Sequence, residues 1–390
     1  MHILFIPSSK HPLISELAYR LNKSNHIKVD VLYLPPPLRK MKKLDTIKKA
    51  CYFSVCICLH DPLHFLKIIC LLFKHFSFKN LKFFVWTFVL SIMIFEENLK
   101  KRYDLIHAFW AYPAGFAAML VKRLIKVPIT ISVLGYDIDE HTLNNPLLKE
   151  ITTFTLREAD HIIIGAKNHY FNVLLLGIPK HKITILSMPV PTEKFSPHIN
   201  RKIVRELYGI KDYEILVGFG PRISKFYGAI DFIKAALLSS KKASNIIFMI
   251  LGENTIGKPL EDYLKRNNVK IIFTGEIPYD NMPYYYAAMD IYCNLCYGGQ
   301  GISTLEAMSS KKLVIGYNIG DIKITNEVDG ILVQPGNIKQ LAEKILTAAK
   351  NKDLREKIAE NARKRVLAHN NMSTYIDKLV YIYMKFRISK

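Results

Sequence analysis

Short apolar runs alternate with amphipathic stretches along most of this chain. The alternation constrains the fold, because strands that alternate with helices form parallel sheets covered by helices on both faces. In the first half the clearest runs are residues 2–6, 29–34, 104–109, 128–135, 161–165 and 182–186. In the second half they are residues 214–220, 246–252, 270–275, 290–295, 313–318 and 330–335. We therefore predict an α/β fold with two Rossmann-like, doubly wound domains.

The length and one proline-rich stretch indicate where the domains divide. The chain has 390 residues, and domains of roughly 150–200 residues fit twice into that length. Residues 187–197 contain three prolines and no periodicity, which is typical of a linker. We predict an N-terminal domain at residues 1–190 and a C-terminal domain at 191–372. The tail, residues 373–390, has a helical pattern, and we expect it to pack back toward the N-terminal domain.

Residues 36–100 interrupt the regular alternation. Residues 38–50 contain six basic residues and one Asp, and an apolar, aromatic zone with further lysines follows. Within residues 36–100 the longest uncharged run, residues 83–95, has 13 residues, whereas a bilayer-spanning helix needs about 20. Two interpretations stay open: one or two buried helices, or a basic and apolar surface that rests on an anionic membrane leaflet.

The net charge of +22 favours anionic partners. No nucleic-acid recognition motif accompanies that charge, so we do not expect nucleic acid as a partner. The N-terminus has no basic start, long apolar stretch or cleavage site, and the six cysteines do not form a disulfide framework. Cys293 and Cys296 have no second pair at metal-site spacing, and we interpret them as the end of a buried strand. We expect a cytoplasmic protein.

The stretch YGGQGISTLEAMSSKK, residues 297–312, has the clearest chemical signal. A glycine loop that runs into a helix start offers backbone N–H groups and the positive end of the helix dipole, which suit a phosphate. Glu306, one turn into the helix, would repel a phosphate but can accept hydrogen bonds from a ribose diol. Phosphate and diol together indicate a nucleotide. An ordinary strand–loop–helix connection with a capped helix is the alternative.

A second strand-exit loop, residues 217–228, carries two basic residues. Arg222 can bind two phosphate oxygens at once, and Lys225 adds a point charge. The two loops could hold a diphosphate between them. A solvated basic loop is the alternative interpretation.

Several segments together resemble the retaining glycosyltransferases of family 4, the group 1 type with the GT-B fold. GFGPRISKFYG resembles that family's G-R-x4-K-G segment, and GGQGISTLEAM resembles its EGFGLxxLEAM segment. Residues 273–295 are similar to the family's segment between those two motifs. In the first half, residues 104–139 resemble the acceptor-domain run that ends in HGxD. The resemblance covers nearly the whole chain and is strongest from residue 210 to residue 370.

The resemblance implies a fold and an activity. The two domains would face a central cleft, and a nucleotide-sugar donor would lie mainly on the C-terminal domain. The sugar would pass, with retention at its anomeric carbon, to a saccharide or lipid-linked acceptor on the N-terminal domain. No metal or other cofactor would be required, because basic residues and helix N-termini stabilise the leaving diphosphate. We expect such an enzyme to build a surface glycan at the cytoplasmic face of a membrane, associated peripherally with its anionic surface.

The resemblance also assigns roles to individual residues. The donor-binding residues would be Gly220, Arg222, Lys225, Tyr227, Gly275, Ile277, Gly298, Gly299, Gln300, Gly301, Ile302, Ser303 and Glu306. The catalytic residues would be Arg222, Lys225 and Asp137. The acceptor-side residues would be Ser8, His107, Leu134 and Gly135. Because Asp137 matches the acid of HGxD, we do not interpret the Asp-x-Asp of residues 137–139 as a metal site.

The match is incomplete at three of these positions. Gly298 stands where the family has the first acid of its E-x7-E pair, Tyr227 stands at the position of the lysine, and Leu134 at that of the HGxD histidine. Residues 7–12 replace the family's N-terminal glycine loop. Two functions therefore stay open: an active glycosyltransferase, or a non-catalytic protein of the same fold that binds a nucleotide sugar or a partner enzyme.

Overall fold

The computed structural model describes most of the chain in two compact units. The described residues are 1–8, 11–24, 26–33, 62, 66, 70, 74–75, 77–135, 137–220, 226–252, 258–267 and 269–388. One unit, the N-terminal unit, comprises Met1–Ser187 together with Ile376–Lys390. The other, the C-terminal unit, comprises Met188–Tyr375. The chain thus leaves the N-terminal unit and returns to it.

The described strands of the N-terminal unit form one parallel sheet. They are β1 His2–Pro7, β2 Lys28–Val31, β3 Leu105–Phe109, β4 Ile129–Val133, β5 His161–Ile164 and β6 Ile183–Ile185. Their order across the sheet is β2-β1-β3-β4-β5-β6. The chain therefore begins at β1, adds β2 on one side and then continues on the other side from β3. The winding reverses between β1 and β3, which are neighbours in the sheet.

Helices connect these strands. They are α1 Pro12–Asn22, α2 Phe78–Lys101, α3 Phe116–Ile125, α4 Glu140–Asn144, α5 Pro146–Glu158 and α6 Lys167–Leu175. A π-helical turn, Ala111–Gly115, precedes α3, and a single 3-10 turn, Lys180–Lys182, precedes β6. Side-chain caps begin three of these helices: the side chain of Ser77 accepts from Asn80 N, that of Asp139 from Thr142 N and that of Asn145 from Leu148 N.

Helix α2 contains the apolar zone for which the sequence left two interpretations. Its Phe84, Leu90 and Ile94 are buried against the core of the N-terminal unit, while Leu81 and Leu99 are exposed. The helix thus packs one face inward, as the first interpretation predicts. Residues 38–50, the most basic part of the segment to which the membrane interpretation applies, lie outside the described residues. No helix in the described part of the chain is both long and apolar enough to cross a membrane.

The described strands of the C-terminal unit also form one parallel sheet. They are β7 Ile215–Phe219, β8 Ile246–Ile250, β9 Ile271–Phe273, β10 Ile291–Asn294, β11 Leu313–Tyr317 and β12 Ile331–Val333. Their order is β12-β11-β10-β7-β8-β9. The chain starts in the middle at β7, winds outward to β9, returns to β10 beside β7, and winds outward in the other direction. Each of the twelve apolar runs predicted as strands overlaps one of the strands in these two sheets.

Helices cover both faces of the C-terminal sheet. The helices are α7 Lys202–Leu207, α8 Ala229–Ser240, α9 Lys258–Arg266, α10 Met282–Ala288, α11 Ile302–Ser309, α12 Ile338–Lys350 and α13 Lys352–His369. Phe248 of β8 joins the core cluster that includes α8 and α12, whereas its neighbours Ile247 and Met249 join the cluster of α11 and α13. Because successive strand side chains point to opposite faces, the two clusters lie on opposite faces. The predicted doubly wound, Rossmann-like α/β fold is confirmed.

The last helix, α14 Met372–Ile388, carries the chain back to the N-terminal unit. Its Tyr383 is fully buried there, and the Tyr383 hydroxyl lies 2.5 Å from Nδ1 of His107 on β3. Residues far apart in sequence therefore complete the core of the N-terminal unit.

Candidate active site

The loops that leave β7 and β10 lie side by side at the carboxyl edge of the C-terminal sheet. Tyr297 N, after β10, donates a hydrogen bond to the carbonyl oxygen of Phe226, after β7, at 3.0 Å. Gly228 has φ +79°, and a Cβ there would lie 2.4 Å from the carbonyl oxygen of Leu295, so only glycine fits this approach. Open α/β sheets bind ligands at this position, where the winding reverses.

The glycine loop of residues 297–301 is attached to the loop that follows β11. Gly299 has φ +106°, and a Cβ there would lie 2.2 Å from the backbone nitrogen of Asp321. Gln300 N donates to the carbonyl oxygen of Asp321 at 2.7 Å. The buried side chain of Gln300 donates to Tyr317 O at 3.3 Å and accepts from Lys323 N at 2.8 Å. Gln300, one of the predicted donor-binding residues, thus uses its side chain to connect the end of β11 with the loop that follows it, and its donor role stays a prediction.

Helix α11 begins directly after this loop with no side-chain cap. Gly301 is the N-cap residue, and a Cβ there would meet nothing within 4 Å. The first N–H groups of a helix have no partner within the helix, so they can receive an anion. Ser303 is largely buried, and its hydroxyl accepts from the side-chain amide of Asn294 at 3.3 Å. Ile302 packs against the core. Since no side chain caps the start of α11, its backbone N–H groups are the groups that can bind an anion there.

Glu306 lies one turn into α11 and is almost fully buried, with 5% of the residue exposed. Tyr279 OH donates to Oε1 and Tyr286 OH donates to Oε2, each at 3.1 Å. Burial raises the pKa of Glu306 to about 7, and the two tyrosine hydrogen bonds and the charge of Lys194 oppose that rise. A carboxylate has about four acceptor sites. Because Tyr279 and Tyr286 are the donors to this carboxylate among the described residues, two of these sites remain for a ligand.

Aromatic rings surround these tyrosines. The ring of Phe195 lies 5.6 Å from that of Tyr279 and 5.7 Å from that of Tyr286. Nζ of Lys194 lies 4.5 Å from the centre of the Tyr279 ring and pairs with Asp280 at 2.5 Å. The sequence interpretation named neither Tyr279 nor Tyr286. Their signal was the tyrosine-rich stretch PYDNMPYYYAA, which gave no indication of a carboxylate partner.

The loop after β7 begins at Gly220. A Cβ at Gly220 would lie 2.7 Å from Cβ of Leu251, and Tyr292 OH donates to Gly220 O at 2.6 Å. These contacts fix where the loop starts. Arg222 and Lys225, the predicted diphosphate ligands, lie outside the described residues, so their roles stay predictions.

Gly298 lies beside an aromatic ring where the family pattern has an acid. A Cβ at Gly298 would lie 2.9 Å from Cζ of Phe226, whose side chain is half exposed. The Tyr227 ring meets the Phe226 ring edge-on at 5.4 Å. Gly275 has φ +70° with open space around it, and Ile277 packs against the core. Of these predicted donor residues, Gly298 and Tyr227 thus lie at the loops described above.

In the N-terminal unit the carboxyl ends of β1 and β3 meet at Ser8. The Ser8 hydroxyl lies 3.0 Å from the carbonyl oxygen of Phe109 and 3.3 Å from that of Tyr112, and it accepts from Ala114 N at 3.3 Å. Ser8 therefore fixes the path of the chain after β3, at the reversal point of this sheet.

His107 is not at an acceptor surface, contrary to the sequence prediction. Its side chain is fully buried, with Nδ1 2.5 Å from Tyr383 OH and Nε2 2.7 Å from Ser132 Oγ. Burial lowers the pKa of His107 to about 3, so the ring is neutral. Strand alternation directs this side chain into the core of the N-terminal unit, where α14 covers it.

Asp137 is also buried and binds backbone. Its carboxylate accepts from Ala111 N at 2.8 Å, Gly135 N at 3.0 Å and Leu134 N at 3.2 Å. Burial raises the pKa of Asp137 to about 6, and these hydrogen bonds oppose the rise. The predicted catalytic acid thus shapes the loops after β3 and β4, because its two oxygens serve those amides. Leu134 and Gly135 contribute their N–H groups to Asp137.

The second acid of the Asp-x-Asp motif has a separate function. Asp139 Oδ1 accepts from Thr142 N at 3.0 Å and caps α4. Over the part of the chain that the structure describes, no three His, Cys, Asp or Glu side chains are arranged to hold a metal ion together.

Two family models match the chain over the two units. The model described as "Glycosyl transferases group 1" matches residues 200–365, and that described as "Glycosyl transferase 4-like domain" matches residues 77–189. The chain belongs to the group 1 glycosyltransferases. The match to the first of these models includes both strand-exit loops of the C-terminal unit and Glu306.

Individual relatives of this glycosyltransferase are distant. The alpha-D-kanosaminyltransferase of Streptomyces kanamyceticus is 23% identical over 294 residues, which are 69% of this chain and 74% of the relative. The capsular polysaccharide biosynthesis glycosyltransferase CapM of Staphylococcus aureus is 28% identical over 255 residues, 62% of this chain and 64% of CapM. HepE of Anabaena, solved in complex with UDP and glucose, aligns with a TM-score of 0.73 at 16% identity over 99% of this chain and 100% of HepE. The last likeness shows the fold.

Two adjacent glycines should differ sharply in their tolerance of a side chain. We expect Gly299→Ala to lower the free energy of unfolding by about 2–3 kcal/mol, because it adds a left-handed backbone strain to a clash with Asp321. Gly298→Ala should change it by less than about 0.5 kcal/mol, since the nearest atoms, Cζ and Cε1 of Phe226, belong to an exposed, rotatable ring. Urea unfolding of both variants measures the difference. Equal losses would contradict the loop packing described here.

The buried carboxylate should make stability depend on pH. Because the pKa of Glu306 is about 7 when folded and 4.5 ordinarily, the folded state binds more protons between these values. Stability therefore falls as pH rises through that window, by at most about 3 kcal/mol. Glu306→Gln should remove this dependence.

Urea unfolding at about pH 5 and about pH 8 tests it. The matched control is Glu343→Gln, an exposed carboxylate on α12. If the wild type and Glu306→Gln show the same change in stability between the two pH values, Glu306 does not titrate in this range.

Proposed function

We propose that this glycosyltransferase takes a sugar from a nucleotide-sugar donor bound by its C-terminal unit. The observation that carries the proposal is one arrangement: an uncapped helix start and a buried carboxylate one turn further, both at the reversal point of a doubly wound sheet. The helix start suits the diphosphate. The two free acceptor sites of Glu306 suit the two hydroxyls of a ribose.

Tyr279 and Tyr286 have a defined part in this proposal. Each holds one oxygen of Glu306 at 3.1 Å, so the carboxylate plane is fixed before the donor arrives. Fixed acceptors bind a diol with less loss of conformational freedom than mobile ones do. Phe195 packs against both tyrosine rings and limits their movement.

The finer chemistry also belongs to the proposal. We infer retention of the anomeric configuration and independence from metal ions, as in the family that the motifs resemble. The helix start, with Arg222 and Lys225, would stabilise the leaving diphosphate. Surface-glycan synthesis is supported by CapM, a relative named for capsular polysaccharide biosynthesis. A nucleotide-sugar donor is supported by HepE, which was solved with UDP and glucose.

Donor turnover in the absence of acceptor tests the role of Glu306. We expect the wild type to release nucleoside diphosphate from a panel of UDP- and GDP-sugars. Glu306→Ala should lower kcat/KM by about 10- to 100-fold, because a hydrogen bond to a charged group is worth about 1.5–3 kcal/mol. Most of the loss should be in KM, since the ribose contact exists before and during the reaction.

Glu343→Ala, an exposed acid on α12, is the matched control and should retain full turnover. Nucleotide binding without release by the wild type would favour the non-catalytic alternative. That alternative is supported by the departures from the family pattern at Gly298, Tyr227 and Leu134. If the wild type neither binds a nucleotide sugar nor releases nucleoside diphosphate, the proposal is wrong. The anomeric configuration of the product, read by NMR, tests retention, and activity in EDTA tests metal independence.

We also propose that the N-terminal unit binds its acceptor at an anionic membrane surface, with the enzyme peripherally bound at the cytoplasmic face. The support is the net charge of +22 and the six basic residues within residues 38–50. Binding to phosphatidylglycerol vesicles should weaken as salt rises and should fall when those six residues are neutralised. Unchanged binding after neutralisation would exclude that segment as the contact.

A further inference from the structure

Trp110 follows β3 at the reversal point of the N-terminal sheet. β1 and β3 are neighbours there, and ligands of doubly wound sheets bind at the carboxyl ends of such strands. Phe109, the last residue of β3, is fully buried, whereas Trp110 is only partly buried. The indole therefore stands at the edge of the sheet where this unit would take a ligand.

The backbone of Trp110 has an unusual conformation, with φ +72° and ψ 141°. A side chain with a Cβ rarely adopts a positive φ, and for a bulky residue it is a strained state. Such strain persists only where the surroundings impose it, and it clusters at functional sites. Glycine would adopt this conformation without strain. The presence of tryptophan therefore needs a reason that lies in its ring.

Hydrogen bonds on both sides impose the conformation. Trp110 N donates to Ser132 O at 2.8 Å, and Gly115 N donates to Trp110 O at 3.1 Å. Ser8 Oγ holds the carbonyl of the preceding residue, Phe109, at 3.0 Å. A Cβ at Gly115 would lie 2.9 Å from Trp110 O, so the close approach also depends on a glycine. Several elements of the unit thus converge to set the direction of one indole.

Core packing does not account for this ring. A tryptophan whose purpose is packing lies in the interior, as Phe109 does, but Trp110 is partly exposed beside the imidazole of His11, at 6.1 Å between ring centres. An indole combines a flat apolar face with one N–H donor. A pyranose ring matches it, because it has a face of C–H groups and hydroxyls around its edge.

We propose that Trp110 is the platform on which a pyranose ring of the acceptor stacks. The proposal rests on the glycosyltransferase function proposed above and specifies its acceptor side: recognition is of a sugar ring and takes place at the end of β3. His107 and Asp137, two of the residues predicted for this unit, are both buried and are not exposed to make such a contact.

The chain offers a direct optical test. It has two tryptophans, Trp86 and Trp110, so Trp86→Phe leaves Trp110 as the sole indole. Titration of this full-length variant with methyl glycosides of glucose, galactose and N-acetylglucosamine, without donor, should shift its emission and protect it from acrylamide quenching. No response to any of them up to their solubility limits would overturn the proposal. A response to phosphatidylglycerol vesicles alone would overturn it also, and would indicate a lipid contact.

A matched pair of variants separates the ring from the backbone. Trp110→Ala and Trp110→Gly both remove the indole, but only glycine accepts φ +72° without strain. We expect both to raise the acceptor KM for a responding glycoside by about tenfold. Donor turnover without acceptor should be unchanged in both, and Trp110→Tyr should restore part of the acceptor affinity. The glycine variant should have the higher melting temperature of the two.

The outcomes distinguish the two proposals. A wild-type acceptor KM in Trp110→Gly would show that the residue only shapes the loop, and would overturn the platform. Parallel losses of donor turnover and acceptor affinity would overturn it too, because they indicate a general structural defect. Absence of donor turnover in the wild type defeats the proposed function instead, and the fluorescence titration, which needs no donor, still decides whether Trp110 binds a sugar.

Discussion

The point where the C-terminal sheet reverses its winding determines where this protein can bind a ligand. The chain begins that sheet at β7, in its middle, and must return beside β7 to begin β10. The loops that leave these two strands therefore lie next to each other, yet lead to helices on opposite faces. Gly228 lets one loop pass Leu295 of the other, and the bond from Tyr297 to Phe226 joins them. The N-terminal sheet also reverses its winding between β1 and β3, and the hydrogen bonds of Ser8 join the loops that leave these two strands.

Glu306 illustrates how the C-terminal unit keeps a charge-bearing group in its interior. An isolated buried carboxylate is costly and takes up a proton instead. Two tyrosine hydroxyls reduce that cost but do not abolish it, which leaves its pKa near neutrality. A group in this state gains from any further donor of hydrogen bonds. The same tyrosines that make burial tolerable thus leave the carboxylate receptive to a diol.

The amino-acid sequence was sufficient for the strands, the doubly wound fold and the location of the glycine loop at a helix start. Local periodicity and the family pattern carry that information, because each depends on residues close together in the chain. It was insufficient for the partners of polar side chains. His107 is covered by Tyr383, 276 residues away, and the amide of Gln300 binds the backbone at Lys323. Nothing in LIHAF or GGQG indicates those contacts, so two side chains that seemed available for ligands belong to the protein's own framework.

Helix α14 makes the N-terminal unit discontinuous in sequence. Because the last helix supplies Tyr383 to the core that the first residues begin, the C-terminal unit is inserted within the N-terminal unit rather than appended to it. The C-terminal unit is therefore tethered by two chain connections, near residues 187 and 375. A fragment that stops at the first connection would leave the imidazole of His107 uncovered. To obtain the N-terminal unit alone without this loss, one would delete the C-terminal unit and join the chain near residue 187 to the chain near residue 376. The part of α14 that contains Tyr383 would then stay with the core that it completes.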